Sequence, residues 1–395
     1  MTAHNSSTKV VVIGGGYSGT LAANHLRSRS DLDVTLVNPR PKFVERIRLH
    51  QLAAAGRDAT VDYGTLLGEG VRLVVDTASR IDTAVGEVRL ASGGRLDFDY
   101  VIYAVGSTGA LPAGVPGAAE FAYPVAELEQ ADRLHAALDD LHPAAPVTVV
   151  GGGLTGTEIA AELAEQGRNV TLICGGRLLP TFSTAGRTSA LKWLRTHGVI
   201  VRETDTVAEV RAGAVVFADG AVRPSALTIW AAGFGVPDLA AASGLATDGI
   251  GRLLTDETLT SVDDPRIVAA GDCAAPSGEP LRMCCASASQ LGPQAADTVL
   301  SRIAGREPAD LEYAFAGSCI SLGRRTGILQ FARKDDSPVS VYIGGRLGGS
   351  LKEAICKGTL WGLRRGARKP GSAIWFKGGP RPERPAVTPR TVTRS

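Results

Sequence analysis

The chain has 395 residues, 44% of them apolar and 21% charged, with a formal net charge of +2. That balance excludes an intrinsically disordered protein and leaves room for two or three domains with proper cores. No run approaches the roughly 18 apolar residues of a spanning helix, and the polar stretch 1–8 lacks a basic-then-apolar signal layout, so the expected location is cytoplasmic.

In chain order, residues 9–13 (KVVVI) predict a buried strand. It runs into Gly14, Gly16 and Gly19, a GxGxxG turn containing Tyr17 and Ser18, and a helix follows to about residue 27. In such a turn the first glycine makes the bend and the second lets backbone approach a pyrophosphate. The third lets the helix pack on the strand, so that phosphates meet the helix N-terminus. A second strand at 34–37 ends at Asn38, where an acidic residue commonly holds ribose hydroxyls; the amide keeps that bonding capacity without charge, and Arg40 follows within reach of phosphate. Between 42 and 62 strand signals are poor, but Glu45, Arg46, Arg48, His50 and Gln51 cluster, either lining a site or forming a solvated helix face. Segments 71–75, 87–90 and 95–98, with Gly93 and Gly94 at a turn, predict a small antiparallel meander. Residues 100–104 are a buried-type strand running through Ala104 into Gly106 and Ser107, where glycine permits close backbone approach.

The plan then repeats. A strand at 147–150 enters Gly151, Gly153 and Gly156, with Thr155 in the turn, and a helix runs to about 166. The next strand, 170–173, ends in Cys174, Gly175, Gly176 and Arg177, with no carboxylate to favour an unphosphorylated ribose. Arg177 either meets a 2′-phosphate or caps the chain locally, so NADH and NADPH are both admitted. Residues 227–231 lead into Gly233, mirroring 100–106. Two such turns imply two dinucleotides. A late strand at 266–270 runs into Asp272, whose carboxylate suits the polyol hydroxyls of a flavin side chain, and Pro293 after Gly292 predicts a helix start. The six cysteines form no CxxC or CxxxxC pair, and no metal site is expected. Cys284 and Cys285 are either a vicinal disulfide or two small buried residues. From 352 to 395 eleven Lys and Arg meet two Glu, with Trp361, Trp375 and Phe376 nearby; this is either a surface for an anionic membrane or a solvated extension.

Five segments in this order, GGGYSG (14–19), YAVGS (103–107), GGGLTGTE (151–158), AAGF (231–234) and IVAAGDCA (267–274), resemble the two-dinucleotide flavoprotein family. That family contains type II NADH dehydrogenases, apoptosis-inducing factor, ferroptosis suppressor protein and ferredoxin reductases. The resemblance implies an α/β fold of two Rossmann-like three-layer ββα domains, glutathione-reductase-like, with a small C-terminal α+β domain. The implied FAD domain is discontinuous, 9–115 with 255–312. An NAD(P)H domain spans 116–254 and an interface domain 313–380, between a disordered tail at 1–8 and a flexible basic tail at 381–395. FAD would be held by Gly14, Gly16, Tyr17, Ser18, Gly19, Asn38, Arg40, Arg48, Ala78, Ala104, Gly106, Asp272 and Gln294. NADH or NADPH would lie on Gly151, Gly153, Thr155, Gly156 and Gly233. The implied catalytic set is Glu158, Arg46 and His50, with Glu158 near the nicotinamide and the flavin N5, orienting the carboxamide or pairing with Arg46, Arg48 or His50.

Residues 40–62 hold no cysteine, which disfavours disulfide reduction, and Cys319 and Cys356 are single. Gln290 and Gln294 have the spacing of a quinone-side glutamine pair, with Gly292 and Pro293 interrupting the turn, and 317–331 is similar to a strand pair of the third domain. The expected activity is hydride transfer from NAD(P)H to FAD and electron transfer to a quinone-type acceptor. The alternatives are a ferredoxin reductase and an FAD/NADH redox sensor. Peripheral contact with the inner face of the cell membrane and a homodimer are expected, and no nucleic-acid partner.

Overall fold

A computed structural model describes residues 7–379 and 381. The tails expected at 1–8 and 381–395 lie outside these residues apart from 7, 8 and 381, and Thr8 already belongs to the first strand. In chain order the first unit comprises β1 (Thr8–Ile13), α1 (Tyr17–Leu26), β2 (Leu32–Asn38), α2 (Leu49–Ala55) and β3 (Val71–Val75). An antiparallel sheet of β4 (Ala78–Asp82), β5 (Glu87–Leu90) and β6 (Arg95–Asp97) follows, and then β7 (Tyr100–Tyr103). The second unit comprises β8 (Ala122–Pro124), α3 (Leu128–Asp139), β9 (Pro146–Val150), α4 (Leu154–Glu165), β10 (Asn169–Ile173), α5 (Thr184–Thr196), β11 (Ile200–Arg202) and β12 (Leu227–Trp230). The chain then returns through β13 (Ile267–Ala269) and α6 (Cys285–Ile303), and ends in β14 (Gly317–Leu322), β15 (Thr326–Ala332), β16 (Pro338–Ile343) and α7 (Gly345–Arg368).

Two parallel five-stranded sheets result, ordered β13-β7-β1-β2-β3 and β8-β12-β9-β10-β11. Both are buried on both faces, as apolar runs such as VVVI and LTIW require. In the first, Val10, Val12, Leu36 and Ile102 pack toward α1 and α6, whereas Val11, Ile13, Val101 and Tyr103 meet Ile81 and Val88 of the antiparallel sheet. In the second, Val147, Val149 and Leu172 share a core with α4, and Val150, Ile173 and Trp230 lie on a small antiparallel sheet at 207–224. Segment 71–75, expected in the meander, is instead the edge strand of the first parallel sheet, with Val34 beside Val71 and Val37 beside Val74. Five residues reading VRLVV do not distinguish a parallel from an antiparallel edge, because that choice is made by the partner strand. The antiparallel sheet is completed by β4.

Three further elements complete the frame. Helix α6 begins at Cys285, not at Pro293, and carries the proline in its interior. Proline there removes one donor, and Gly292 lets the helix lie directly on α1, since a Cβ at 292 would stand 2.3 Å from the Ser18 carbonyl oxygen. Cys284 and Cys285 are free thiols at its start, so the vicinal disulfide is not formed. The β14–β16 sheet is antiparallel and packs Ile320, Leu322 and Ile328 into the core shared by α2 and α4. It thereby clamps a first-unit helix against a second-unit helix. Among the described residues no helix is long and apolar enough to cross a membrane.

Candidate functional site

The two glycine turns have the same geometry. Gly14 has φ +104° and Gly151 φ +127°; a Cβ there would stand 2.2 Å from the Ala104 carbonyl oxygen and 2.7 Å from that of Ala231, respectively. Cβ atoms at Gly19 and Gly156 would meet the carbonyl oxygens of Gly14 and Gly151 at 1.8 and 1.9 Å. A Cβ at Gly16 or Gly153, by contrast, would meet nothing within 4 Å among the described residues, the open approach that a pyrophosphate needs above a helix N-terminus. Thr155 is half-buried beside the second turn, and Gly233 closes the strand end opposite it with φ +85°.

Around the first turn the expected side chains divide into two sets. Arg46 Nη1 donates to the Ser107 carbonyl oxygen (2.7 Å) and Oγ (3.0 Å), and Ser107 Oγ donates to Asp272 Oδ2 at 2.7 Å. This network joins the end of β7, beside Ala104 and Gly106, to the loop after β13. Burial pushes the Asp272 carboxyl up and the Arg46 guanidinium down from their ordinary values. Among the described residues Asp272 Oδ1 is buried with no hydrogen-bond partner, an arrangement costly enough to call for a polar ligand. An FAD polyol would satisfy it. The second set is engaged within the protein. Asn38 Oδ1 accepts from the Gly15 N–H at 2.9 Å and its Nδ2 donates to the Arg40 carbonyl oxygen. Arg40 pairs with Glu127 and Glu129, Ser18 Oγ donates to the Ala288 carbonyl oxygen, and Gln294 bonds the backbone of Gln290 and Glu312. Tyr17 packs edge-on against Phe43, and Ala78 is buried at the start of β4.

Glu158 lies at the meeting of all three units. Its Oε1 accepts from the Ser321 N–H (2.9 Å) and Oγ (3.0 Å) and stands 3.2 Å from Lys352 Nζ. Its Oε2 is 3.6 Å from His50 Nδ1, and His50 Nε2 is 3.2 Å from Ser321 Oγ. Burial would raise the Glu158 carboxyl, but His50, Lys352 and the Ser321 N–H outweigh it and hold the group below the ordinary carboxylate range. Burial lowers His50 to about 4, so its ring is neutral at physiological pH. Lys352 is buried too, yet Glu158 keeps its ammonium above the ordinary lysine range. One turn further along α4, Glu162 meets Arg324 at 3.1 Å.

Of the partners expected for Glu158, only His50 is there. Arg46 belongs to the Asp272 network, and Arg48 pairs with Glu45 and Glu353 at 3.3 and 3.0 Å. Lys352 and Ser321 were not singled out from the sequence. Ser321 is a buried serine between Ile320 and Leu322 at the end of β14, without any local signal. Lys352 is a lysine on the buried stripe of α7, four residues before the buried Cys356, a periodicity hidden by the basic composition around it. Gln290 and Gln294 are both buried on α6, which runs unbroken through Pro293, and Gln290 Oε1 accepts from the Phe376 N–H at 3.1 Å.

Comparison with known proteins agrees with this architecture. Residues 8–298 match the pyridine nucleotide-disulphide oxidoreductase family. An NADH dehydrogenase-like protein of Mycobacterium tuberculosis is 32% identical over 295 residues, covering 68% of this chain and 73% of the relative. A type II NADH:quinone oxidoreductase of Haemophilus influenzae is 24% identical over 388 residues, covering 82% and 87%. Among solved structures, the sulfide:quinone oxidoreductase of Aquifex aeolicus superposes with a TM-score of 0.79 at 22% identity, over 91% of this chain and 92% of that one, which speaks for the fold. With its paired glycine turns, its unsatisfied Asp272 and a sequence match across both folds, the chain belongs to the pyridine nucleotide-disulphide oxidoreductase family, as an FAD-dependent NAD(P)H oxidoreductase.

Proposed function

We propose that this oxidoreductase delivers its electrons to a quinone-type acceptor. The observation that carries the reading is the buried Glu158–His50–Ser321–Lys352 cluster where the three units meet. Quinone reduction consumes protons as well as electrons, and this cluster holds three ionisable side chains in one water-poor place. No cysteine lies in 40–62, so the thiol pair that a disulfide-reducing member of the family would need there is missing. The similar type II NADH:quinone oxidoreductase of Haemophilus influenzae supports the same acceptor class.

In this reading the first unit, with β13 and α6, binds FAD, and the second binds the nicotinamide coenzyme. When bound, the flavin supplies hydride acceptance and one- or two-electron release. The protein's own part is positional and electrostatic. Gly16 and Gly153 admit the two pyrophosphates, Asp272 receives polyol hydroxyls, and Arg46 fixes Ser107 and through it the Asp272 carboxylate. Glu158 remains ionised between Lys352 and His50, and His50, neutral, exchanges a proton at Nε2 or Nδ1.

The acceptor would arrive along a membrane surface. Leu347, Ile355 and Trp361 are exposed on α7, Ile374 and Phe376 follow, and Arg364, Arg365, Arg368 and Lys369 line one open pocket beside Trp361. The test is steady-state oxidation of NADH with menadione, ubiquinone-1, ferricyanide and a ferredoxin as acceptors. Rapid turnover with both quinones is expected; turnover with ferredoxin and none with either quinone would overturn the proposal.

A further inference from the structure

The duplication of the fold allows the coenzyme's adenosine end to be read by comparing the chain with itself. In the first unit β2 ends at Asn38, and a Cβ on Gly15 would stand 3.0 Å from Asn38 Cγ. In the second unit β10 ends at Ile173, and a Cβ on Gly152 would stand 2.6 Å from Cys174 Cβ. Cys174 therefore occupies the position of Asn38, the strand end beside the glycine turn. In dinucleotide-binding folds a carboxylate at that position holds both ribose hydroxyls and repels a 2′-phosphate. Here it is a thiol, kept neutral because burial pushes it up to about 12.

Nor do the neighbouring carboxylates replace it. Glu203 Oε1 accepts from the Leu178 N–H at 3.0 Å and faces Arg187 at 3.4 Å, while Asp205 is paired with Arg202. The loop itself is stitched down, Gly175 N–H to the Asp205 carbonyl oxygen at 3.2 Å and Gly176 N–H to that of Glu203 at 2.5 Å. On its outer side it is bare. Among the described residues neither Gly175 nor Gly176 would place a Cβ within 4 Å of any atom, and both have positive φ, +65° and +147°. Arg177 follows directly, exposed, with no hydrogen bond or ion pair among the described residues. It is an unspent guanidinium beside an open shelf that lacks an acid.

We propose that Cys174, Gly175, Gly176 and Arg177 form a 2′-phosphate-accepting site, so that the protein uses NADPH at least as readily as NADH. The inference rests on the second fold binding the nicotinamide coenzyme and is independent of the acceptor. Two readouts test it with the purified flavin-loaded protein. Anaerobic stopped-flow reduction of the flavin compares NADH with NADPH, and calorimetry compares AMP with adenosine 2′,5′-bisphosphate. NADPH is expected to match or exceed NADH in second-order efficiency, and the bisphosphate to bind about tenfold tighter than AMP. Arg177→Ala should shift the NADPH/NADH efficiency ratio about tenfold toward NADH, and Cys174→Asp should shift it at least as far, by repulsion. An NADH preference of about threefold or more, no tighter binding of the bisphosphate, or a ratio unmoved by Arg177→Ala would overturn the proposal. Flavin reduction by both coenzymes without quinone turnover would sink only the acceptor reading.

Discussion

Asp272 is the residue whose state depends most on what it holds. Its Oδ2 is satisfied by Ser107 and its Oδ1 by nothing among the described residues, so a polar partner is worth about 1.5–3 kcal/mol there. Asp272→Asn should weaken FAD retention by tenfold or more, read as the flavin-to-protein absorbance ratio after gel filtration; unchanged retention would remove Asp272 from the binding set. His50 makes a separate prediction. Its ring titrates near the ordinary 6.5 in the unfolded chain and at about 4 in the fold, so on acidification the unfolded state takes up the proton first. Stability is therefore full above pH 6.5 and declines toward pH 4, by up to about 3 kcal/mol from this group. In His50→Gln that part of the pH dependence should disappear from denaturant midpoints. Asp272 was legible in the sequence because it ends a strand-and-glycine segment; His50 was legible as one of a polar cluster with Glu158 as an expected partner, but Ser321 and Lys352 were not.

At the scale of elements, each strand–glycine–helix turn separates two jobs that the sequence pattern writes together. Gly19 serves packing, and Gly16 leaves open the space in which the proposed ligand would lie. Gly19→Ala should prevent folding of the first unit, because its Cβ would lie 1.8 Å from backbone oxygen. Gly16→Ala should fold with nearly normal stability while losing FAD, since no atom of the described residues lies within 4 Å of the new methyl. Circular dichroism melts alongside flavin content distinguish the two. The helical elements were legible where their glycines and apolar runs were local. Helix α6 was not: proline reads as a start signal, but with only one donor removed and α1 packed along its length, tertiary contact carries the helix through residue 293.

On the scale of the whole molecule, α7 joins the basic C-terminal region to the core. Lys352 reaches Glu158 of the second unit, and Gly366 packs against Asn24 and Leu21 of the first. Lys352→Met would leave Glu158 buried with a weaker counter-charge, and a loss of about 3–5 kcal/mol is expected in chemical denaturation. Truncation at Gly345 would remove this tie along with the exposed apolar face. Surface substitutions separate the two roles: Trp361→Ala with Ile374→Ser should reduce sedimentation with anionic vesicles several-fold while leaving flavin reduction by NADH intact. Equal sedimentation would leave α7 as a structural helix only.

The paired turns, Asp272 after its strand and glycine, the missing carboxylate at Cys174 and the strands flanking them are properties of short stretches of chain, and periodicity and glycine spacing suffice to read them. Long-range pairing is different in kind. The edge position of residues 71–75, the unbroken course of α6, and above all the convergence of His50, Glu158, Ser321 and Lys352 depend on which surfaces meet. Burial energy settles that, and it is a property of the assembled core rather than of any one segment.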